Sequence, residues 1–428
     1  MESKVNKDLH LDVFLEHSEL HYNDQVAVFK EGKQTREAQT RYSSVTAELE
    51  RGYLENKYKE CKQCDKTILD ETFKNHLREL VDGVTSEVGR ALVGLTFLQI
   101  TIKSIVPEQS IRLHKGSTRN GSFSWQEGMS MRTLDSHYTS PFLRANGLLN
   151  VNKDGVMMTR SLAENYPYSK LYKAEMRGPF DTWISIVDFL EEPRANTKEI
   201  AEASLSFLMS LLINKNNKFE ELAVKAIAKL QSRDNFAFDQ VENLLIDFFT
   251  KTQYSARALE VVMHGFMQAY AQNGLTDLDV VPMSQMRSAN KKHGNVGDVE
   301  LRDGPVIVES WDAKYGKEYL FDELDELKDK LTANPDVEIA GFVVSERLEI
   351  KKEIEIKVSD VAASTNTKVF LFTFKDWIDY KMSDRDKTDQ LAKDWLYAVV
   401  ESFARKRLSV APIDEPCEGW LTDLTNLL

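Results

Sequence analysis

Val306-Ile307-Val308-Glu309-Ser310-Trp311-Asp312-Ala313-Lys314 reads as a strand that begins apolar and ends in charge. Side chains alternate along a strand, so 306, 308, 310, 312 and 314 share a face, and the Asp312 carboxyl and Lys314 ammonium point the same way. Upstream, Asp298-Val299-Glu300-Leu301 forms a partner strand, with a turn signal at Asp303-Gly304 between the two. The register decides what meets what. A two-residue turn at Asp303-Gly304 pairs 302 with 305 and sets Asp298 opposite Glu309, whereas a longer loop or a bulge moves it toward Asp312. Glu309 faces the side opposite Asp312, so one of the two is off any shared site. Asp312 is preferred because only it has a lysine two residues on; Glu309 stays as the alternative carboxylate, and Glu300 as another.

Outward from the hairpin, the pattern predicts a helix over Ala256 to Ala271 and a strand near Leu278 to Pro282. After it come an amphipathic helix from about Glu318 to Leu331, strands over Ile339 to Val344 and Val369 to Phe374 flanking a charged segment, and a closing helix from Lys387 to Arg407. Tyr319, Leu320, Leu324, Leu327 and Leu331 recur at helical spacing and read as core, as do Trp377 and Trp395. Helix, three antiparallel strands, helix, strand predicts a small α/β core, α+β overall, with one site at the hairpin.

Hydrolysing a phosphodiester at neutral pH requires charge neutralised on the phosphoryl group and a hydroxide made near it, which two carboxylates holding a divalent cation plus a lysine supply. Gly297-Asp298-Val299-Glu300, then Asp312-Ala313-Lys314 fourteen residues after Asp298, resembles the PD-(D/E)XK nucleases, with Gly297 in place of the motif's proline. Glu260, on the preceding helix, matches in type and position the glutamate that this family tends to place before its first core strand. The resemblance covers about 175 of the 428 residues. It implies a restriction-endonuclease-like core in which Asp298 and Asp312, with the Ala313 carbonyl, hold Mg2+, Lys314 orients or activates water, and Glu260 supports the metal shell. The plainer alternative makes Asp312 and Lys314 solvent-facing charges ending an edge strand, and Glu260 a surface helix residue.

A chain of 428 residues with 42% hydrophobic content accommodates two or three domains. The expected regions are a helical N-terminal part over 1–90, with Leu49, Tyr53, Leu69, Phe73, Leu77 and Leu80 at core positions, and a recognition region over 91–192. A helical spacer over 193–250 follows, carrying the patterns Glu199 to Ile213, Phe219 to Leu230 and Phe238 to Phe249, and then the nuclease-like region 251–428. Leu148 to Met158 reads as a hairpin about Asp154-Gly155. The net charge of −13 argues against indiscriminate coating of nucleic acid. Thr101 to Phe180 nevertheless holds eleven Lys or Arg against six acids, a confined basic stretch suited to an anion.

Within that stretch Arg112, Lys115, Arg119, Asn120, Gln126, Arg132 and Arg144 carry the donors that read base edges; the plain reading is exposed loop residues. A second basic cluster, Arg287, Asn290, Lys291, Lys292 and His293, precedes Asp298 and suits phosphate contact near the scissile bond. No G-x-x-x-x-G-K-[ST] sequence is present, which argues against ATP. The charged N-terminus and the shortness of the longest apolar stretch, Ala91 to Ile102, predict no membrane segment and a cytoplasmic protein. Cys61 and Cys64 have the spacing of half a zinc site near His76, but without a fourth ligand two thiols are the better reading.

A nuclease core joined to a large non-repetitive recognition region, without an ATPase motif, resembles a type II restriction endonuclease. That implies double-stranded DNA as substrate, a homodimer to cut both strands, and a companion DNA methyltransferase. Two other readings stand beside it. One is a modification-dependent or repair nuclease in which Phe123, Trp125 and Tyr138 line a pocket for a flipped base; the other is a non-catalytic DNA-binding subunit of a restriction system.

Overall fold

The computed structural model describes residues 9–22, 25–61, 67–84, 89–116, 123–149, 151–158, 162, 166–174, 176, 178–283, 295–315, 320–345, 352–404 and 417–428. The chain divides into two compact units, Met1–Asn217 and Lys218–Leu428.

In the first unit, β1 (His10–Val13), β2 (His17–Tyr22) and β3 (Gln25–Lys30) form an antiparallel sheet in chain order. Leu20 and Phe29 are buried on one face with Leu113 and Trp125, while Val26 and Val28 stand exposed on the other. This sheet corrects the expectation that the first 90 residues are helical. Its exposed face carries His10, Asp12, His17 and Glu19, so the period-two alternation reads in sequence as mere charge.

Helices α1 (Arg36–Glu50), α2 (Tyr53–Glu60), α3 (Glu71–Asp82), α4 (Arg90–Ile105), α5 (Met131–Leu134), α6 (Ser140–Ala145) and α7 (Phe180–Glu191) build the rest of this unit with the start of α8 (Lys198–Gln231). The Thr35 and Asp70 side chains cap α1 and α3 by accepting from their first-turn amides. Every residue of α4 from Leu92 to Ser104 is buried, so its polar side chains need partners. Gln99 donates to the Ile111 carbonyl (3.0 Å) and accepts from the Trp183 indole (2.9 Å). Leu148 to Met158 is not the expected hairpin. Gly155 N–H closes a turn on the Asn152 carbonyl (3.0 Å), and a 3-10 turn over Val156–Met158 follows. The buried Asp135 carboxylate organises this segment by accepting from Met157 N–H (2.9 Å). Gly155 has φ +91°, and a Cβ there would lie 2.4 Å from Asp135 Oδ2, so only glycine fits.

In the second unit the end of α8, α9 (Phe238–Lys251) and α10 (Ser255–Gln272) lead into a five-stranded sheet in chain order. Its strands are β4 (Asp279–Val280), β5 (Val299–Asp303), β6 (Val306–Lys314), β7 (Ile339–Val344) and β8 (Lys368–Thr373). The first three pair antiparallel and the last three parallel. The parallel pairs are joined by α11 (Leu320–Ala333) and α12 (Lys352–Thr365), the crossover that parallel strands require. These helices cover one face, packing Leu320, Leu324, Leu327, Leu331 and Val361 on Ala340, Phe342 and Val344. The other face lies in a larger core with α9, α10, α13 (Phe374–Lys381), α14 (Asp389–Ala404) and α15 (Cys417–Leu427), in which Trp311, Trp377, Trp395 and Trp420 are fully buried. The architecture is mixed helix and sheet.

Phe219, Ala226, Leu230, Val241, Leu245 and Phe248 belong to that same core, so residues 193–250 are not a separate spacer. The patterns 199–213 and 219–230 are one helix, α8, and the charged segment after β7 contributes α12. Among the described residues no helix is long and apolar enough to cross a membrane.

Candidate active site

Asp303 pairs with Val306 and Arg302 with Ile307, so the turn is Gly304-Pro305, with Gly304 at φ +56°. The register then slips by one residue, because Leu301 faces Glu309 and leaves Val308 as a bulge. Val299 therefore faces Trp311, and Asp298 comes opposite Asp312. The bulge also changes sides: Ile307 packs with α11 and α12, whereas Trp311 and Ala313 enter the opposite core. Asp312 and Lys314 are left on the α11 side.

Backbone bonds lock the two aspartates together. Asp298 N–H donates to Asp312 Oδ1 (3.1 Å), and Asp298 Oδ2 accepts from Ala313 N–H (3.1 Å). Lys314 Nζ lies 3.7 Å from Asp312 Oδ2 and 2.8 Å from Glu323 Oε2 on α11. Glu260, buried on α10, is ion-paired with Arg257 one turn before it. Asp312 is buried and Asp298 partly so. The plainer alternative of solvent-facing charges therefore fails for Asp312 and Glu260.

Burial pushes the Asp298 carboxyl up to about 7, and the neighbouring Glu260 charge adds to the effect. Burial and the Asp298 charge push Asp312 up to about 7 as well. Burial opposes the charge on Lys314, but Asp312, Glu323 and Asp298 together outweigh it and hold the ammonium above the usual lysine range. Crowded carboxylates of raised basicity beside a fixed cation are a donor set suited to a hard dication. Among the described residues, however, the one group of three His, Cys, Asp or Glu ligand atoms within 4.8 Å of one another is His10, Asp12 and His21. In this arrangement Asp298, Asp312 and Glu260 do not bring three ligand atoms within that distance of one another, although Glu260 is the foremost charge acting on Asp298.

The alternative carboxylates are engaged elsewhere. Glu309 faces the opposite layer, where Lys381 Nζ lies 2.7 Å and 2.9 Å from its two oxygens and the Trp311 indole donates to it. Glu300 accepts from Val296 N–H (2.6 Å) and pairs with Arg302 (3.1 Å), bracing the loop that delivers Asp298. A Cβ on Gly297 would lie 2.5 Å from Ser310 Oγ and 2.9 Å from the Trp311 carbonyl, which explains glycine where proline was expected. His264 bonds the Val281 carbonyl (2.8 Å) and fastens α10 to the chain after β4. Glu323 and Arg257 were missed, since only the fold shows which of many charged helix residues reach the site.

The basic residues expected to read bases separate into groups. Arg112 is buried, donating to Asp188 (2.6 Å) and the Tyr168 carbonyl (2.7 Å), so its guanidinium is structural. Gln126 donates to the Glu31 carbonyl (3.1 Å) and ties its loop to the end of the sheet. Trp125 is buried beneath that sheet with Phe123 against it, whereas Tyr138 packs on the helical core, its hydroxyl donating to Glu50 (3.1 Å), so these rings belong to two different clusters. Lys115 is half-buried over the Phe123 ring, and Arg132 and Arg144 are exposed. Arg119, Asn120, Arg287, Asn290, Lys291, Lys292 and His293 lie outside the described residues, as do Tyr319 and Cys64. Cys61 is a buried thiol donating to the Tyr58 carbonyl (3.1 Å). Comparison with protein-family models and with curated proteins finds no match for this chain.

Proposed function

We propose that the C-terminal unit is a metal-dependent nuclease of the PD-(D/E)XK type, and that the protein cuts double-stranded DNA at a specific sequence in the manner of a type II restriction endonuclease. The observation that carries this reading is the bulged register that sets Asp298 opposite Asp312, with Lys314 two residues on and Glu260 behind. Bound Mg2+ would neutralise charge on the scissile phosphate and lower the pKa of an attacking water.

The chain's own groups prepare that chemistry. Asp298 and Asp312 are held by backbone N–H bonds and carry more negative charge than their burial favours, so a dication relieves the cost of their proximity. Lys314 is aimed by Glu323 and sits beside Asp312, placing an ammonium where a phosphate oxygen or a water can be oriented. Glu260, paired with Arg257, adds its charge to the field on Asp298. Exposed Arg132 and Arg144 supply phosphate contacts. A homodimer supplies the second active site for the other strand, and a methyltransferase would protect the host's own sites.

The test is incubation of the purified protein with unmethylated phage DNA and Mg2+, without ATP, beside Asp312→Ala and Lys314→Ala. Discrete fragments from the wild type alone are expected. Cleavage only of methylated DNA would reassign the protein to modification-dependent nucleases, and DNA binding without cleavage of either substrate would make it a non-catalytic subunit.

A further inference from the structure

We infer that the exposed face of the N-terminal sheet is a transition-metal site built from His10, Asp12 and His21, with Glu19 at its edge. His10 and His21 are cross-strand partners, Asp12 pairs with Glu19, and alternation puts all four on one face. The two imidazoles stack with centroids 4.0 Å apart and planes 12° apart, and one ligand atom from each of His10, Asp12 and His21 lies within 4.8 Å of the others. Each Nε2 lies 3.5 Å from the same oxygen, Asp12 Oδ2.

That equality separates a ligand set from ordinary ion pairs. A hydrogen-bonded pair would draw an imidazole to about 2.9 Å; His21 Nε2 stops short at 3.5 Å and is shielded from solvent without a hydrogen-bond partner. In a tetrahedral site with metal–donor bonds of about 2.0–2.1 Å, neighbouring donor atoms sit about 3.3 Å apart. The observed 3.5 Å separations are within a few tenths of that edge. Glu19 Oε2 lies 3.7 Å from His21 Nε2, and its other oxygen, Oε1, is held by His17 Nε2 at 3.0 Å, which fixes this carboxylate at the edge of the site.

Two imidazoles with one or two carboxylates favour Zn2+ or its neighbours Co2+ and Ni2+ over Mg2+ or Ca2+, which prefer all-oxygen shells. The site clips β1, a four-residue edge strand, onto β2. It is independent of the nuclease reading.

The experiment is calorimetric titration of the chelator-treated full-length protein with Zn2+, in the Asp312→Asn background so that the hairpin carboxylates do not contribute, with Co2+ absorption as a second readout. One equivalent of Zn2+ is expected, together with the intense visible bands of four-coordinate Co2+. Asp12→Asn and His21→Ala should each weaken binding by more than about tenfold, and His10→Ala/His21→Ala should abolish it, while His137→Ala, at an exposed histidine in the helical turn Asp135–Thr139 outside the sheet, changes nothing. These side chains project from a solvent-facing sheet surface, so metal-free melting should match across the set, and Zn2+ should raise the melting temperature only where the site is intact. Equal Zn2+ uptake by the double variant, or no uptake by the protein with the site intact, would overturn the inference.

Discussion

In the N-terminal unit, buried cations meet single carboxylates: Lys103 with Glu191 at 3.0 Å and Arg112 with Asp188 at 2.6 Å, with further donors going to the Pro107 and Tyr168 carbonyls and to the Asn196 amide oxygen. In the C-terminal unit the hairpin does the reverse, setting Asp298 against Asp312 with one lysine that Glu323 also shares, while the nearby Glu260 is taken up by Arg257. Such pairing offsets part of the cost of burying charge and leaves little for a ligand. Incomplete pairing leaves a deficit of positive charge in a fixed place, and such a deficit marks a site. Glu309 makes the same point within a single strand, because three residues from Asp312 it is satisfied by Lys381.

The contrast can be broken most forcefully at the hairpin. Asp312→Asn should lower DNA cleavage on the order of 10³-fold while the fold survives, measured by fragment formation and by circular dichroism. Cleavage at the wild-type rate would remove Asp312 from the site. The next largest effect falls on the paired set. Arg112→Ala should destabilise the first unit by about 3 kcal/mol in urea unfolding and leave the salt dependence of DNA binding unchanged. Unaltered stability with weakened binding would return Arg112 to the role of a base reader.

A third test sharpens the comparison through pH. Asp298 and Asp312 are lifted from 3.8 to about 7 in the folded state, so between those values the metal-free folded protein holds more protons than the unfolded chain. Their contribution to stability is full below about pH 4 and is lost as pH rises through about 7. In chelator, Asp312→Asn should flatten this decline and gain about 1–2 kcal/mol above neutrality, a gain that Mg2+ reverses by stabilising only the wild type. Parallel profiles of wild type and variant would mean that the aspartates do not oppose each other. The smallest effect is expected at the exposed arginines, where Arg132→Ala or Arg144→Ala should lower the salt slope of DNA binding by about 1 and change stability by less than about 0.5 kcal/mol.

What the sequence disclosed follows from where information is local. The hairpin, β7, α10 and α11 are written in periodic apolar patterns and were legible within a residue or two at most ends. Partners distant in sequence were not: Asp188 is 76 residues from Arg112 and Lys381 is 72 from Glu309, so nothing nearby distinguished these charges from free ones. The polar run Asn214-Lys215-Asn216-Asn217-Lys218 looked like a break between two helices, yet α8 continues through it. Lys215 there reaches back to the carbonyls of Val81 (2.9 Å) and Val84 (3.1 Å). Trp125 and Gln126 showed the converse, since an indole and an amide that suit a nucleic acid suit a small core and its rim equally well.

The bulge at Val308 makes the site a matter of counting. A chain that kept Asp298, Asp312 and Lys314 but lost that one residue would turn the end of β6 over, offering Asp312 to the tryptophan-rich core and Trp311 to the α11 side. Residue identity at the motif would be intact and the chemistry gone, so the single residue whose side chain has no part in catalysis sets the parity on which every other residue of the site depends.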